Sequence, residues 1–198
     1  DIDKFAEEFI KKNGATPEQK GYQGYPFATC TSVNDEICHG FPGKKPLRNG
    51  DIVTVDMVVN LNGWLADSAW SYAVGNISEE AKKLMEVTEK SLYIGIEKAV
   101  AGNRIGDISY AIQSYVEAQG FSVVRDFVGH GIGKEMHEEP QVPHFGRPGR
   151  GPRITTGMVF TTIDNNNWTA RTKDGKLSCQ YEHTIAITEN GVIIITKQ

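Results

Sequence analysis

Apolar residues recur at helical spacing in three stretches of the chain. In residues 1–13 the stripe is Ile2, Phe5, Ala6, Phe9 and Ile10, with Gly14 as a C-cap candidate. Residues 78–101 carry Leu84, Val87, Leu92 and Ile96 on one face. Ser78 or Asn76 serves as N-cap, Glu79 and Glu80 occupy the first turn, and Gly102 ends the helix. Residues 107–120 repeat the first pattern at an offset of 106, pairing Asp1 with Asp107, Ile2 with Ile108, Phe9 with Tyr115, Ile10 with Val116 and Gly14 with Gly120. Two unrelated amphipathic helices produce such a match by periodicity alone. Each of these two, however, precedes a glycine-punctuated, β-like segment that carries a histidine, a hint of two similar halves of roughly 100 residues.

Elsewhere the pattern is strand-like. The turn signal Asn49-Gly50 leads into a strand at Asp51–Asn60, and Asn62-Gly63 predicts a two-residue hairpin, because a type I′ turn needs positive φ at both central residues. With that turn, Leu61 faces Trp64 and Val58 faces Asp67. Asp56 lies two residues from Val58 and shares its face. Asp56 and Asp67 become diagonal cross-strand neighbours, roughly 7–8 Å apart at the backbone. Two anions that close in a half-buried sheet need a cation or a proton between them, and a metal is the simplest answer. Residues 122–133 read as a strand and a glycine-rich turn. Gln180–Glu189 and Val192–Lys197 read as a second hairpin about Asn190-Gly191. Tyr22–Pro46 is turn-rich and aromatic, and Gly146–Pro152 is a surface loop whose arginines, with Arg153, read as solvated. Antiparallel strands with covering helices imply an α+β fold, in a single domain over residues 1–198.

Composition narrows the function classes. The 198 residues are 39% hydrophobic and 23% charged, enough for a full core, and the net charge of −4 offers no basic footprint for nucleic acid and no polybasic patch for a membrane. No apolar run has the length of a membrane span and no signal peptide is visible. Cys30, Cys38 and Cys179 follow no zinc-finger spacing, so reduced thiols in the cytoplasm are expected. The chain opens without a methionine, directly on a helix-like segment, which reads as a fragment or as a chain with its ends left out.

The candidate ligands fall in the order Asp56, Asp67, His130, His137, Glu182. Carboxylates with imidazole suit a hard-to-borderline divalent ion, and several carboxylates allow two ions to be bridged. Each acid taken alone reads as a solvated strand residue; the set does not. Glu182 lies in an alternating strand where it shares a face with Thr184 while His183 takes the other. His130 stands in Gly129-His130-Gly131-Ile132-Gly133, whose glycines allow close backbone approach. The run lacks the Lys-Ser/Thr of a P-loop and the helix of a dinucleotide site, so phosphate binding is set aside. His144 and His183 read as structural.

Several runs together resemble the type I methionine aminopeptidases of the bacterial kind: Gly-Tyr-Gln-Gly-Tyr-Pro (21–26), Ser-Val-Asn-Asp-Glu-Ile-Cys-His-Gly (32–40), Gly-Asp-Ile-Val-Thr-Val-Asp (50–56), Gly129–Val142 and Leu177–Thr184. The resemblance is nearly end to end. It implies the pita-bread fold, two pseudo-symmetric halves around a dinuclear centre. It implies removal of the N-terminal methionine of nascent polypeptides by a hydroxide held between two divalent ions (Co, Mn, Fe or Zn). By the same resemblance, Asp56 chelates one ion, Asp67 and Glu182 bridge both, and His130 binds the other. His39 and His137 contact substrate and assist proton transfer, and Tyr22, Tyr25, Cys30 and Trp168 hold the methionine side chain. A cytoplasmic monomer is expected, with the ribosome as a place of encounter and no nucleic-acid or membrane site.

Two departures stand out. Gln23 occupies a position where the family usually has histidine. After Gly157-Met158-Val159-Phe160-Thr161 the family continues Ile-Glu-Pro, whose glutamate is the fifth ligand and a proposed general base. Here the chain reads Thr162-Ile163-Asp164-Asn165-Asn166-Asn167-Trp168 and is about a dozen residues short. Asp164 is a shorter substitute in the wrong surroundings; a missing segment that carries the glutamate is the preferred reading. The alternatives are a pita-bread module that binds without cleaving and a related Xaa-Pro aminopeptidase or prolidase. The Tyr22–Cys30 run argues against the latter.

Overall fold

In a computed structural model, which describes residues 1–161 and 169–197, the chain turns at Asn62 (φ +53°) and Gly63 (φ +79°), and the strands on either side pair over ten rows. In chain order the elements are α1 (Ile2–Lys12), β1 (Thr16–Pro17), a 3-10 turn (Tyr22–Gly24), β2 (Cys30–Val33), β3 (Glu36–Cys38), β4 (Ile52–Leu61), β5 (Trp64–Ala73), α2 (Glu79–Lys98), α3 (Ile105–Ala118), β6 (Gly129–Gly131), β7 (Glu138–Val142), β8 (Val159–Phe160), β9 (Ala170–Arg171), β10 (Glu182–His183), β11 (Ile185–Thr188) and β12 (Gly191–Ile194). Among the described residues they fall into two compact units, 1–85 with 169–181 and 86–161 with 182–197. The strand pairs within each are antiparallel, so the α+β class holds.

The first unit is built on β4. One edge carries β5, from Ile52 opposite Ala73 to Leu61 opposite Trp64. The other edge carries β2, from Cys30 opposite Asp56 to Val33 opposite Val53, and then β1 opposite Val59 and Asn60. From Ile52 to Asp56 every residue of β4 is buried, so both faces are covered there and hydrophobicity stops alternating. Only Ala6 and Ile10 of the α1 stripe are buried; Phe5 and Phe9 are 71% and 59% exposed and stack on each other at 6.2 Å. Periodicity located the apolar face but not how much of it meets a partner.

In the second unit the strand order is β12-β11-β8-β6-β7. Helix α3 buries Ile105, Ile108, Ile112 and Val116, and α2 buries Val87, Leu92 and Ile96, with Leu84 only half-buried. A Cβ at Gly95 of α2 would lie 2.7 Å from Cδ1 of Ile112, so the glycine allows close packing of these helices. Several boundaries differ from expectation, and α3 runs Ile105–Ala118 rather than 107–120. Helix α2 stops at Lys98 rather than Ala101, where the Asn103 amide donates to the Lys98 carbonyl (3.0 Å). Of residues 122–133 only Gly129–Gly131 form strand, and Arg125 instead lies over the Phe145 ring at 4.8 Å. The C-terminal hairpin pairs Thr188 with Gly191, so its loop is Glu189-Asn190 rather than Asn190-Gly191. The Thr188 hydroxyl accepts from the Asn190 N–H (3.2 Å) and donates to the Gly191 carbonyl (2.7 Å), and these bonds fix the register.

Gly106 shows packing overriding helix propensity. Within α3, alanine is favoured over glycine by about 1 kcal/mol. A Cβ at Gly106, however, would meet the carbonyl oxygens of Arg147 at 2.4 Å and Arg150 at 2.7 Å, and these are backbone atoms that cannot swing aside. Gly106→Ala is expected to destabilise the protein by about 1–3 kcal/mol in urea unfolding; a variant at least as stable as the parent contradicts this packing.

Candidate metal and substrate site

Asp56 and Asp67 lie where the hairpin puts them: Asp56 opposite Ala69, Asp67 opposite Val58, each only 7% exposed. Their side chains hydrogen-bond to each other, which two ionised carboxylates cannot do unaided. Burial, more than any other influence, pushes the Asp56 carboxyl up to about 7, against hydrogen bonds from Asp67, Gln180 and Gln19 that favour its charged form. Burial and then the charge of Asp56 push Asp67 well up too, offset in part by the Ser68 N–H. The pair is thus a buried site that holds a proton or a cation, and its donors are the hard oxygens that divalent ions take.

Near it stand two of the expected pocket residues, Cys30 and Tyr25. Cys30 faces Asp56 across β2 and β4 and is 2% exposed. Burial first, then the Asp56 charge, raises its thiol, so the sulfur is a neutral, soft wall. Tyr25, also 2% exposed, places its hydroxyl 3.0 Å from the Thr29 carbonyl and 3.3 Å from that of Gly40, and burial raises its phenol. Its ring packs edge-on against Phe27 and Phe41. Tyr22 is half-buried in the 3-10 turn, where Gln23 has φ +47°. Trp168 lies outside the described residues, as do Asp164 and the point where the family glutamate is expected.

His39 is half-buried with φ +53°. The Thr169 N–H and hydroxyl both donate to its carbonyl at 3.1 Å, and Thr169 itself has φ +41°. Left-handed backbone at a non-glycine residue is uncommon, most of all at a β-branched one such as Thr169, and costs on the order of 1–3 kcal/mol, so two left-handed residues in one contact mark an over-determined position. No sequence signal pointed to Thr169.

In the second unit His130 sits in β6, 7% exposed. Its backbone is gripped by Thr161, which donates its N–H to the His130 carbonyl (2.6 Å) and accepts the His130 N–H at Oγ1 (3.2 Å). The ring Nδ1 lies 2.9 Å from the Gly131 carbonyl, which can only accept. Nδ1 therefore carries the hydrogen, and Nε2 is left with a lone pair to present to a metal. Burial, opposed by that hydrogen bond, lowers the imidazole to about 4, so it is neutral at physiological pH, as a ligand must be. His137 is half-buried and also lowered by burial, with its ring centroid 4.4 Å from that of His130. The glycine after His130 serves a neighbouring strand rather than a ligand: a Cβ on Gly131 would lie 2.2 Å from the Glu139 carbonyl oxygen of β7. Glu182 is 2% exposed in β10. His183 Nδ1 pairs with Thr196 Oγ1 at 3.0 Å, and His144 is buried, in keeping with structural roles. The supporting amide of Gln180 was missed, although it lies two residues before Glu182 on a strand-like run.

The profile of metallopeptidase family M24 matches residues 1–189. The chain is 54% identical to a methionine aminopeptidase of Clostridium perfringens, covering 99% of this chain and 84% of that protein. It is 50% identical to methionine aminopeptidase 1 of Bacillus subtilis, covering 100% and 84%. That alignment spans 209 positions against 198 residues, so the relative has residues at 11 or more positions where this chain has none (209 − 198). The crystal structure of a methionine aminopeptidase from Rickettsia prowazekii superposes with a TM-score of 0.95 at 42% identity, covering 99% of this chain and 84% of that one. A prolidase from Pyrococcus furiosus shares the fold at a TM-score of 0.70 and 23% identity, over 86% of this chain and 49% of that one.

The acidic pair has a consequence for stability. In the folded, metal-free protein the Asp56 carboxyl is raised to about 7, against 3.8 for an ordinary aspartate. A group raised on folding stabilises most below its unfolded value, and that contribution is lost as pH rises through its folded value. Metal-free protein should thus lose up to about 4 kcal/mol between pH 4 and pH 8, seen as a falling Tm. A divalent ion should restore it, and Asp56→Asn should flatten the slope. A pH-independent Tm in the metal-free protein contradicts the buried pair.

Proposed function

The chain belongs with the methionine aminopeptidases of metallopeptidase family M24, and from that premise we propose that Asp56, Asp67, His130 and Glu182 hold two divalent ions beside a pocket for an N-terminal methionine. The observation that carries this is the hydrogen-bonded pair of buried carboxylates, Asp56 and Asp67. Asp67, His130 and Glu182 are also a candidate ligand set by chemistry, all buried. Cobalt, manganese, iron and zinc all suit carboxylate with imidazole, so geometry and supply select among them.

When bound, the ions supply Lewis acidity toward the scissile carbonyl and activate water as the nucleophile. The chain's own residues do the rest. The neutral His130 offers Nε2 because Gly131 holds the hydrogen on Nδ1. His137, kept neutral by burial, and His39, held by Thr169, orient the peptide and carry a proton to the leaving amine. Tyr22, Tyr25 and Cys30, with Trp168, enclose the thioether, for which a protonated, polarizable sulfur and aromatic walls are well suited. The substrates in this reading are nascent polypeptides met at the ribosome by a cytoplasmic monomer.

A second reading, a pita-bread module that binds without cleaving, has one observation in its favour. The shortfall of 11 or more positions against the Bacillus subtilis relative is consistent with loss of the segment that carries the family glutamate. The encoded sequence between Phe160 and Trp168 separates the two, since Glu-Pro there restores the fifth ligand. In solution, metal-loaded protein is expected to release methionine from a Met-Ala-Ser peptide and to bind two ions per chain. Asp67→Ala should lower kcat/KM by about a thousandfold or more. An intact peptide after prolonged incubation, with Asp67→Ala no different from the parent, removes the enzymatic reading.

A further inference from the structure

We propose that Asp3 is a positioning residue for the methionine pocket, holding from the first turn of α1 the loop that carries Tyr25 and Cys30; this rests on the reading of Tyr25 and Cys30 as pocket walls. An acid in a first helical turn ordinarily serves the helix dipole. Asp3 does something more specific. Its Oδ1 accepts the N–H of Ala28 (2.9 Å), the N–H of Thr29 (2.8 Å) and the hydroxyl of Thr29 (3.0 Å). Three donors converge on one carboxylate oxygen from 25 and 26 residues away, and hydrogen bonds to an ionised acceptor are the strong kind.

The loop depends on this acceptor. It runs from the 3-10 turn to the first residue of β2, Cys30, so Ala28 and Thr29 precede the ladder that satisfies backbone N–H groups further on. Both are 0% exposed, so water does not take Asp3's place. Thr29 is also held from its other side, because its carbonyl lies 3.0 Å from the Tyr25 hydroxyl. That hydroxyl is 3.3 Å from the carbonyl of Gly40, the residue after His39. One residue, Thr29, thus ties Asp3 to Tyr25, to Cys30 as its chain neighbour, and through Tyr25 to the His39-Gly40 turn. Asp56 also pairs with Cys30 of β2, but the ten rows of β4 and β5 hold Asp56 and Asp67 without that pairing. Loss of the Asp3 carboxylate therefore displaces the pocket walls and leaves the two acidic ligands in place.

The test uses the full chain, metal-loaded, with Met-Ala-Ser and Leu-Ala-Ser peptides. Asp3→Ala is expected to lower kcat/KM for the methionine peptide about tenfold, chiefly through KM, and to narrow the preference for methionine over leucine, with two ions still bound. Asp3→Asn keeps an acceptor oxygen and is expected to stay within about threefold of the parent. Thr29→Val, which keeps volume but removes the hydroxyl, should shift the same preference about threefold, and it carries the test if Asp3→Ala does not fold. Folded Asp3→Ala or Thr29→Val with unchanged KM and preference overturns the proposal, whatever happens to Tm. Cys30→Ala separates the two levels. If it alters the preference while the Asp3 and Thr29 variants do not, Asp3 alone loses its role; if it leaves the preference unchanged, the pocket reading itself fails.

Discussion

Two carboxylates buried side by side on one face of a hairpin repel each other unless positive charge or a shared proton lies between them. Asp56 and Asp67 are in that position, and removing them from water raises both. Much of the first unit arranges itself around this. The ten-row pairing of β4 with β5 fixes their separation, and β2 brings Cys30 alongside. The amides of Gln19 and Gln180 supply dipoles that favour the charged form of Asp56. For the fold alone such a pair is a liability, because well-packed apolar residues of similar volume do as well or better. Its presence is best explained by what it holds.

The neutral components complement the charged ones. His130 is kept uncharged and in one tautomer by burial and by the Gly131 carbonyl. Cys30 is kept protonated by burial and by the acid opposite it. Low dielectric thus disfavours charge on every one of these groups, acid, imidazole and thiol alike. In the proposed site a bound divalent ion would reverse that preference for its ligands, and the neutral thiol would offer a thioether a soft apolar surface.

What was legible in the sequence was what local rules decide. Asn62-Gly63 fixed its own turn through positive φ, and the period of two then placed Asp56 and Asp67 on one face with no tertiary information. The family resemblance supplied roles for residues that spacing alone left as solvated acids or core. Non-local bonds were not legible. Nothing near Asp3 indicates that its acceptors' partners are Ala28 and Thr29, and nothing near Thr169 indicates that it will grip the His39 carbonyl. The C-terminal hairpin slipped by one residue because the Thr188 side chain competed for the turn, an effect that a dipeptide signal does not contain. Phe5 and Phe9 belong to the apolar stripe of α1 yet stay exposed, because periodicity says that a face is apolar and not that a partner covers all of it.

The central claim is that the Asp56–Asp67 pair carries a proton in the absence of metal and exchanges it for a divalent ion. Calorimetric titration of the metal-free protein with Mn²⁺ near pH 6, in two buffers of different ionisation enthalpy, measures that exchange directly. The account predicts release of about one proton as the ions bind, and much weaker binding with less release in Asp56→Asn. Tight binding with no proton release, or unchanged affinity after Asp56→Asn, would contradict it.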